Sequence, residues 1–405
     1  MKVGNRARWA LVIVVGAALV LAATAAARTH SAAKKGPIVI GWVHDDSSGA
    51  MGPFDLPALA AAQLEINKVN KKGVDGRKIK LLQCTAHQPN GNAAATACAN
   101  KLIGEGAKIM FTTCDVDLAA PAVQPAINKG LLTIAPCIGT DQMGPKRFGS
   151  KGKLAFSFGN VAQDEGSAMA QLAWNKGWRT ADLATDTVIV YFKAVVTAFK
   201  ARFKQLGGKI NYETTYQDGA FGGTNVGNAV TGINAHKADV VVTVTAGAYK
   251  SLGPFITGMR TAGNKTPILN SWAGDGTYWV AGLNPKVTNY WFVTYANAFG
   301  HDPNSRVNAL ARQIKASTGG FVAGPAAIDG LVTAIKRANG SLVGSKLAAV
   351  MQNFHNVPTL SGNVSFSKKL HTVFGRQYRV IEINNNVPIE KGLIRAKKVP
   401  NSPDS

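Results

Sequence analysis

Apolar positions along this chain alternate between strand-like runs and helical spacing. Ile38 to Val43 is a short β-branched run; Leu56, Leu59, Ala60, Leu64, Ile66 and Val69 then recur at helical intervals. Gly73 and Gly76 punctuate a turn before Ile79–Leu82 reads as a strand again. The alternation continues with a helix at Ala93–Ile103, a strand at Lys108–Thr112, a helix at Ala119–Ile127 and a strand at Leu131–Ala135. Helices at Gly166–Trp174, Ala194–Leu206, Val226–Ala235 and Leu252–Thr261 then alternate with strands at Ala181–Thr185, Ile210–Thr215, Val240–Val244 and Ile268–Asn270. A strand-like YWFVTY at Tyr290–Tyr295 precedes helices around Val307–Ala316, Ala326–Arg337 and Ser345–Phe354 and a short strand at Val364–Phe366. Strands and helices in strict alternation predict an α/β protein built on parallel sheets.

Ahead of the first strand, Lys2, Arg6 and Arg8 precede an apolar run from Trp9 to Leu21 and a small-residue stretch ending at Ala27. That order is the order of a secretory signal peptide. Residues 1–27 are expected to be removed, with cleavage after Ala27 or near Ala33. A membrane anchor, which needs ~20 apolar residues, is the rival reading, and the absence of a basic stop-transfer flank speaks against it. No cysteine follows the small-residue stretch to carry a lipid. The remaining chain of roughly 370 residues exceeds one ordinary domain, so two lobes are expected.

The formal charge is +23 and falls to +20 without the three leader cations. A basic balance invites a nucleic-acid reading. Lysines and arginines are scattered through every helix without interleaved aromatics, and the leader directs the chain outside, so no nucleic-acid partner is expected. The four cysteines, Cys84, Cys98, Cys114 and Cys137, are an even number in an oxidising compartment. Three pairings are possible. Cys84 ends the second strand and Cys98 lies in the next helix, while Cys114 and Cys137 end strands expected to be neighbours, so 84–98 and 114–137 are the expected bridges. A metal site is not expected, because no Cys-x-x-Cys or His-rich cluster accompanies them.

Nothing in the chain has the form of a catalytic centre. There is no Gly-x-Ser-x-Gly elbow, no His-Glu-x-x-His and no phosphate-binding Gly-x-x-x-x-Gly-Lys-Ser/Thr loop. The glycine-rich Gly219–Gly227 lacks the strand-turn-helix context of a dinucleotide site and reads as a loop. Neither enzyme activity nor a cofactor is expected.

The phrases SSG at 47–49, EINKVNKKGVDGRKIKL at 65–81 and ACANKLI at 97–103 closely resemble periplasmic solute-binding proteins of the leucine/isoleucine/valine-binding type. The resemblance implies two doubly wound Rossmann-like lobes joined by a three-segment hinge, the type I periplasmic binding protein fold. Residues 37–157 with 296–366 would form one lobe and 158–295 with 367–400 the other, with crossings near Phe156–Val161, Tyr290–Asn297 and Ser361–Val373. It also implies an extracytoplasmic monomer that closes on an amino acid, amide or amine and delivers it to the permease subunits of an ABC importer at the membrane. The alternative on the same fold is the ligand-sensing component of a signalling system.

In open parallel sheets ligands bind beyond the carboxyl ends of the strands. Ser48 lies in such a loop. The resemblance places a ligand carboxylate against the loops of Asp115 and Asp117 and of Gly139 and Thr140, with Tyr191 and Tyr249 lining the opposite lobe. Trp272 falls near the place of the acid that receives an ammonium, and Asp275 is the nearest carboxylate. Asp115 and Asp117 stand where the family pattern has small hydroxyl residues, and Phe192 replaces a glycine. Seven of the 22 acids, Asp45, Asp46, Asp115, Asp117, Asp141, Asp186 and Asp275, fall on predicted strand-end loops. They predict a negative cleft suited to a cationic or neutral polar solute, unless the aspartates cap helices and turns.

Overall fold

The computed structural model describes Met1, residues 35–87 and residues 91–403. The expected signal peptide lies outside the described residues, apart from Met1. The described residues from Pro37 onward form one compact unit.

The first half of the chain runs β1 (Ile38–His44), α1 (Gly52–Lys72), β2 (Ile79–Thr85), α2 (Gly91–Gly104), β3 (Ile109–Phe111), α3 (Val116–Asn128), β4 (Leu132–Ala135), a short α4 (Pro145–Phe148) and β5 (Ala155–Asn160). It continues with α5 (Ala162–Asn175), β6 (Thr180–Asp186), α6 (Val190–Gln205), β7 (Lys209–Tyr216), α7 (Val226–Asn234), β8 (Val240–Val244), α8 (Leu252–Thr261), β9 (Ile268–Asn270) and β10 (Tyr290–Thr294). The last part holds α9 (Ser305–Ile314), α10 (Ala323–Arg337), α11 (Gly344–Met351), β11 (Val357–Thr359), β12 (Gly362–Val364), β13 (Thr372–Val373), β14 (Tyr378–Asn384) and β15 (Val387–Ile394).

Two main sheets result. The first has the order β13-β5-β4-β3-β1-β2, parallel throughout. Strands β1, β3 and β4 are almost wholly buried because helices cover both faces, while the edge strand β2 is largely part-exposed. The second has the order β15-β14-β10-β9-β8-β6-β7, parallel from β10 to β7 and finished by the antiparallel β14 and β15. Helix α10 returns to the first sheet, where Ala326, Ile328, Leu331 and Ile335 join Ile40, Ile109 and Phe156 in one core. Helices α5 and α6 pack together on the second sheet. Gly166 permits that approach, since a Cβ there would collide with the Val195 carbonyl.

The chain passes between the sheets after Asn160, after Thr294 and after Val373. Several details differ from expectation: β5, β11, β13 and the antiparallel β14 and β15 are strands where the periodicity predicts none. Strand β5 extends to Asn160, and Thr372 and Val373 pair with Ser157 and Asn160, so 367–373 lies with the first sheet and the third crossing is 374–377. Nothing in the periodicity marks so short a strand. The strand expected at Val364–Phe366 is β12, which pairs with β11 in a separate two-stranded ribbon.

Candidate functional site

The carboxyl ends of both sheets face one another. On the first lobe, Asp55 in the first turn of α1 is 1% exposed and ties two strand-end loops together. Its Oδ2 accepts from the Asp45 amide at 2.8 Å and its Oδ1 from the Cys114 amide at 2.9 Å. Burial raises its carboxyl to about 7. Asp45 turns back in the same way, accepting from the amides of Ser47 and Met51. The sulfurs of Cys84 and Cys98, and those of Cys114 and Cys137, stand at bonding distance. The second pair clamps the β3–α3 loop to the β4–α4 loop.

Asp115 is the N-cap of α3, and its Oδ1 accepts from the amides of Asp117 and Leu118 at 2.8 and 3.2 Å. Burial, reinforced by Asp117, raises it to about 7. Asp117 Oδ1 accepts from Arg147 at 2.7 Å, while its Oδ2 crosses to the second lobe and accepts from the Val190 amide, at the start of α6, at 3.0 Å. The amino ends of α3 and α6, both turned toward the cleft, are therefore occupied by carboxylates of the protein itself.

On the second lobe, Tyr191 and Phe192 open α6, Ala246 follows β8, and Trp272 and Ala273 follow β9. Trp272 packs edge-on against Phe54 of the first lobe at 4.8 Å and lies 6.1 Å from the Tyr191 ring. Behind it, the Trp272 amide donates to Glu165 Oε1 at 2.8 Å. Glu165 is fully buried, and burial lifts its carboxyl to about 8, against smaller opposing effects from Trp272, Tyr191 and Arg376.

Between the lobes the strand-end loops meet around a small cavity, with only about 20 Å³ open to the centre of a water-sized sphere. Its wall is mostly apolar and aromatic: Met51, Phe54, Ile138, Tyr191, Phe192 and Trp272 dominate, with Asp115, Gly139 and Thr140 as polar or backbone contacts. Among the described residues no lysine or arginine contributes to it. The apolar cluster runs continuously from Met51, Phe54, Cys114 and Cys137 on one lobe to Tyr191, Tyr249 and Trp272 on the other, so the lobes are closed.

Of the residues singled out from sequence, Asp115, Gly139, Thr140, Tyr191 and Trp272 come together around this cavity. Ser48 is exposed and outside it. Asp117 lies at the lobe boundary. Tyr249 is buried beside the wall, packed on Phe192 and Phe221. Asp275 is fully buried away from the cavity, where it accepts from Thr294 and from the Gly319 amide, joining the second crossing to the strand-end loop of β9; burial raises it to about 7. Its geometry is that of a hinge brace.

The expected negative cleft is not what the geometry gives. Asp45 and Asp115 cap turns and a helix, Asp46 and Asp141 meet His87 and Lys146, and Asp117 meets Arg147. Asp186 accepts from Val188 and Thr245 within the second lobe, and Asp275 is enclosed. Sequence reasoning missed Met51, Phe54 and Glu165. The signal for Glu165 was an acid pair, Asp164 and Glu165, opening an otherwise apolar helix directly after a crossing.

The periodic pattern and the cleft have counterparts among known proteins. The family model described as periplasmic binding protein matches residues 37–388. The leucine-binding protein LivK of Thermotoga maritima superposes with a TM-score of 0.73 at 17% identity, covering 88% of this chain and 98% of that one. The branched-chain amino acid binding protein LivJ of Streptococcus pneumoniae, solved with isoleucine, gives 0.74 at 18%, covering 89% and 100%. A solute-binding protein of an ABC transporter from Rhodopseudomonas palustris, solved with p-hydroxybenzoic acid, gives 0.75 at 15%, covering 92% and 100%. At such identities the likeness carries the fold. No curated protein matches the sequence.

Proposed function

The chain belongs to the periplasmic binding protein family, and from that premise we propose that it captures a small solute between its lobes, outside the cytoplasm, and hands it as a monomer to the permease of an ABC importer. The observation that carries this reading is the closed cavity framed by the strand ends of both sheets. An open form admits the solute, and contacts from both halves favour the closed form by differential affinity.

The wall narrows the class of solute. Met51, Phe54, Ile138, Phe192 and Trp272 suit an apolar body, for which the lobes would have to part. A carboxylate end finds no cation in the wall, and the nearby helix amino ends are filled by Asp115 and Asp117. An ammonium end finds in the wall only Asp115, whose oxygen already caps α3. Leaving either charge unpaired in such a place costs several kcal/mol, on the order of the ~1–3 kcal/mol of an unmet polar group and more. The proposed solute therefore has an apolar body and one uncharged polar end, set toward Gly139, Thr140 and Tyr191.

Benzamide, benzoate and benzylamine share one ring and differ in charge. Thermal-shift measurement at pH 7.5 should show stabilisation by benzamide above the other two. Stabilisation mainly by benzoate or benzylamine removes the claim of an uncharged end. Stabilisation only by polar aliphatic amides or amines removes the claim of an apolar body.

A further inference from the structure

Beside the third crossing, a groove that shares no lining residue with the solute cavity leaves about 720 Å³ open to the centres of water-sized spheres. Its walls come from the β11–β12 ribbon of the first lobe, from the third crossing, and from β14 and the end of β15 on the second lobe. Arg376, Arg379, Arg395 and His355 line it, with Ser361 and Asn363, and no aspartate or glutamate does among the described residues.

The three arginines differ in their circumstances. Arg379 is matched by Asp302, with Nε and Nη2 donating to the two carboxylate oxygens at 2.8 and 2.9 Å. Arg395 is exposed on the rim. Arg376 is 5% exposed, yet its Nη atoms donate only to backbone carbonyls, Phe158 at 2.8 Å and Ser361 at 3.3 Å. Its Nε has no hydrogen-bond partner among the described residues, and the Tyr295 ring covers one face at 4.5 Å. Behind the floor, Asp164 accepts from the Gly375 amide and lies near enough for its charge to act on both Arg376 and Arg395, without contacting either guanidinium. A buried guanidinium without a contacting carboxylate is costly, and planar guanidinium forks suit oxyanions.

We infer that this hinge groove binds a multivalent oxyanion, of the phosphate or polycarboxylate type, between Arg376 at its floor and Arg395 at its rim. The anion contacts both lobes and the crossing that joins them. The groove shares no lining residue with the solute cavity, and its test uses neither that cavity nor any solute, so either can fail alone.

Calorimetric titration of the purified protein with inorganic phosphate, sulfate and citrate, at ionic strength matched with chloride, tests this. Saturable binding of at least one of them is expected. Arg395→Glu should weaken it tenfold or more, while Lys101→Glu, an equal charge change on exposed helix α2, should leave it within twofold. Arg395→Lys, which keeps the charge and loses the fork, should fall between. Absence of saturable binding overturns the inference, and so does an equal loss in Arg395→Glu and Lys101→Glu, which would mark a diffuse attraction to a basic surface.

Discussion

Asp117 on the first lobe accepts a hydrogen bond from the Val190 amide on the second at 3.0 Å, while Arg147 holds its other oxygen at 2.7 Å. The carboxylate is thus positioned by its own lobe and closes onto the amino end of α6, where a negative charge is favoured. It acts as a latch across the cleft. Asp117→Ala should weaken closure by about 1 kcal/mol, the net worth of one partly exposed hydrogen bond. Small-angle scattering should then show a larger radius of gyration, with melting of the individual lobes little changed.

Gly139 faces Tyr191 across the same boundary. A Cβ at Gly139 would sit 2.7 Å from Cε2 of that ring. Gly139→Ala should therefore oppose closure by about 1–3 kcal/mol, the usual range for forced overpacking. Solute affinity should fall tenfold or more, and Tyr191→Leu in the same chain should restore part of it by removing the clash.

Glu165 sets a pH dependence whose sign follows from its environment. Burial raises its folded value to about 8 from 4.5, so the folded state keeps a proton that the unfolded state has lost between those values. Stability from this group accordingly declines as pH rises through that window. His44 and His371 have lowered values and act in the opposite sense only below about 6.5, where the unfolded histidine titrates. Urea denaturation at pH 7 and pH 8.5 should show the wild-type protein losing stability, and Glu165→Gln losing less.

The two cysteine pairs close loops of similar length, with separations of 14 and 23 residues. Chain-entropy arithmetic gives about 3 kcal/mol for each. Only Cys114–Cys137 joins loops that frame the cavity. Replacing Cys84 and Cys98 by alanine should lower the denaturation midpoint and leave solute affinity unchanged. Replacing Cys114 and Cys137 should lower both, as read by urea melts and calorimetry.

The alternation of β-branched runs with helically spaced apolar positions sufficed to place the helices longer than one turn and the strands β1–β4, β6–β10 and part of β12, because burial between helix layers imposes those periods locally, but it did not mark β5, β11, β13 or the antiparallel β14 and β15. Strand-end loops could also be read directly, and with them Gly139, Thr140, Tyr191 and Trp272. The chemistry of the cleft could not. Asp115 and Asp275 have the composition of ligand-facing acids, but a carboxylate one or two bonds from the backbone reaches a neighbouring amide as readily as a solute, and only the packed loops decide which.

What the sequence by itself determined is the order of most elements and the edge at which a ligand is received, which follow from local spacing and chain direction; the two lobes were expected from chain length and from the resemblance. The tertiary structure alone decided which groups that edge presents. Phe54 meets Trp272, Asp117 meets Val190, and Glu165 lies behind the wall because three separate crossings bring distant segments together, and no local pattern encodes that meeting.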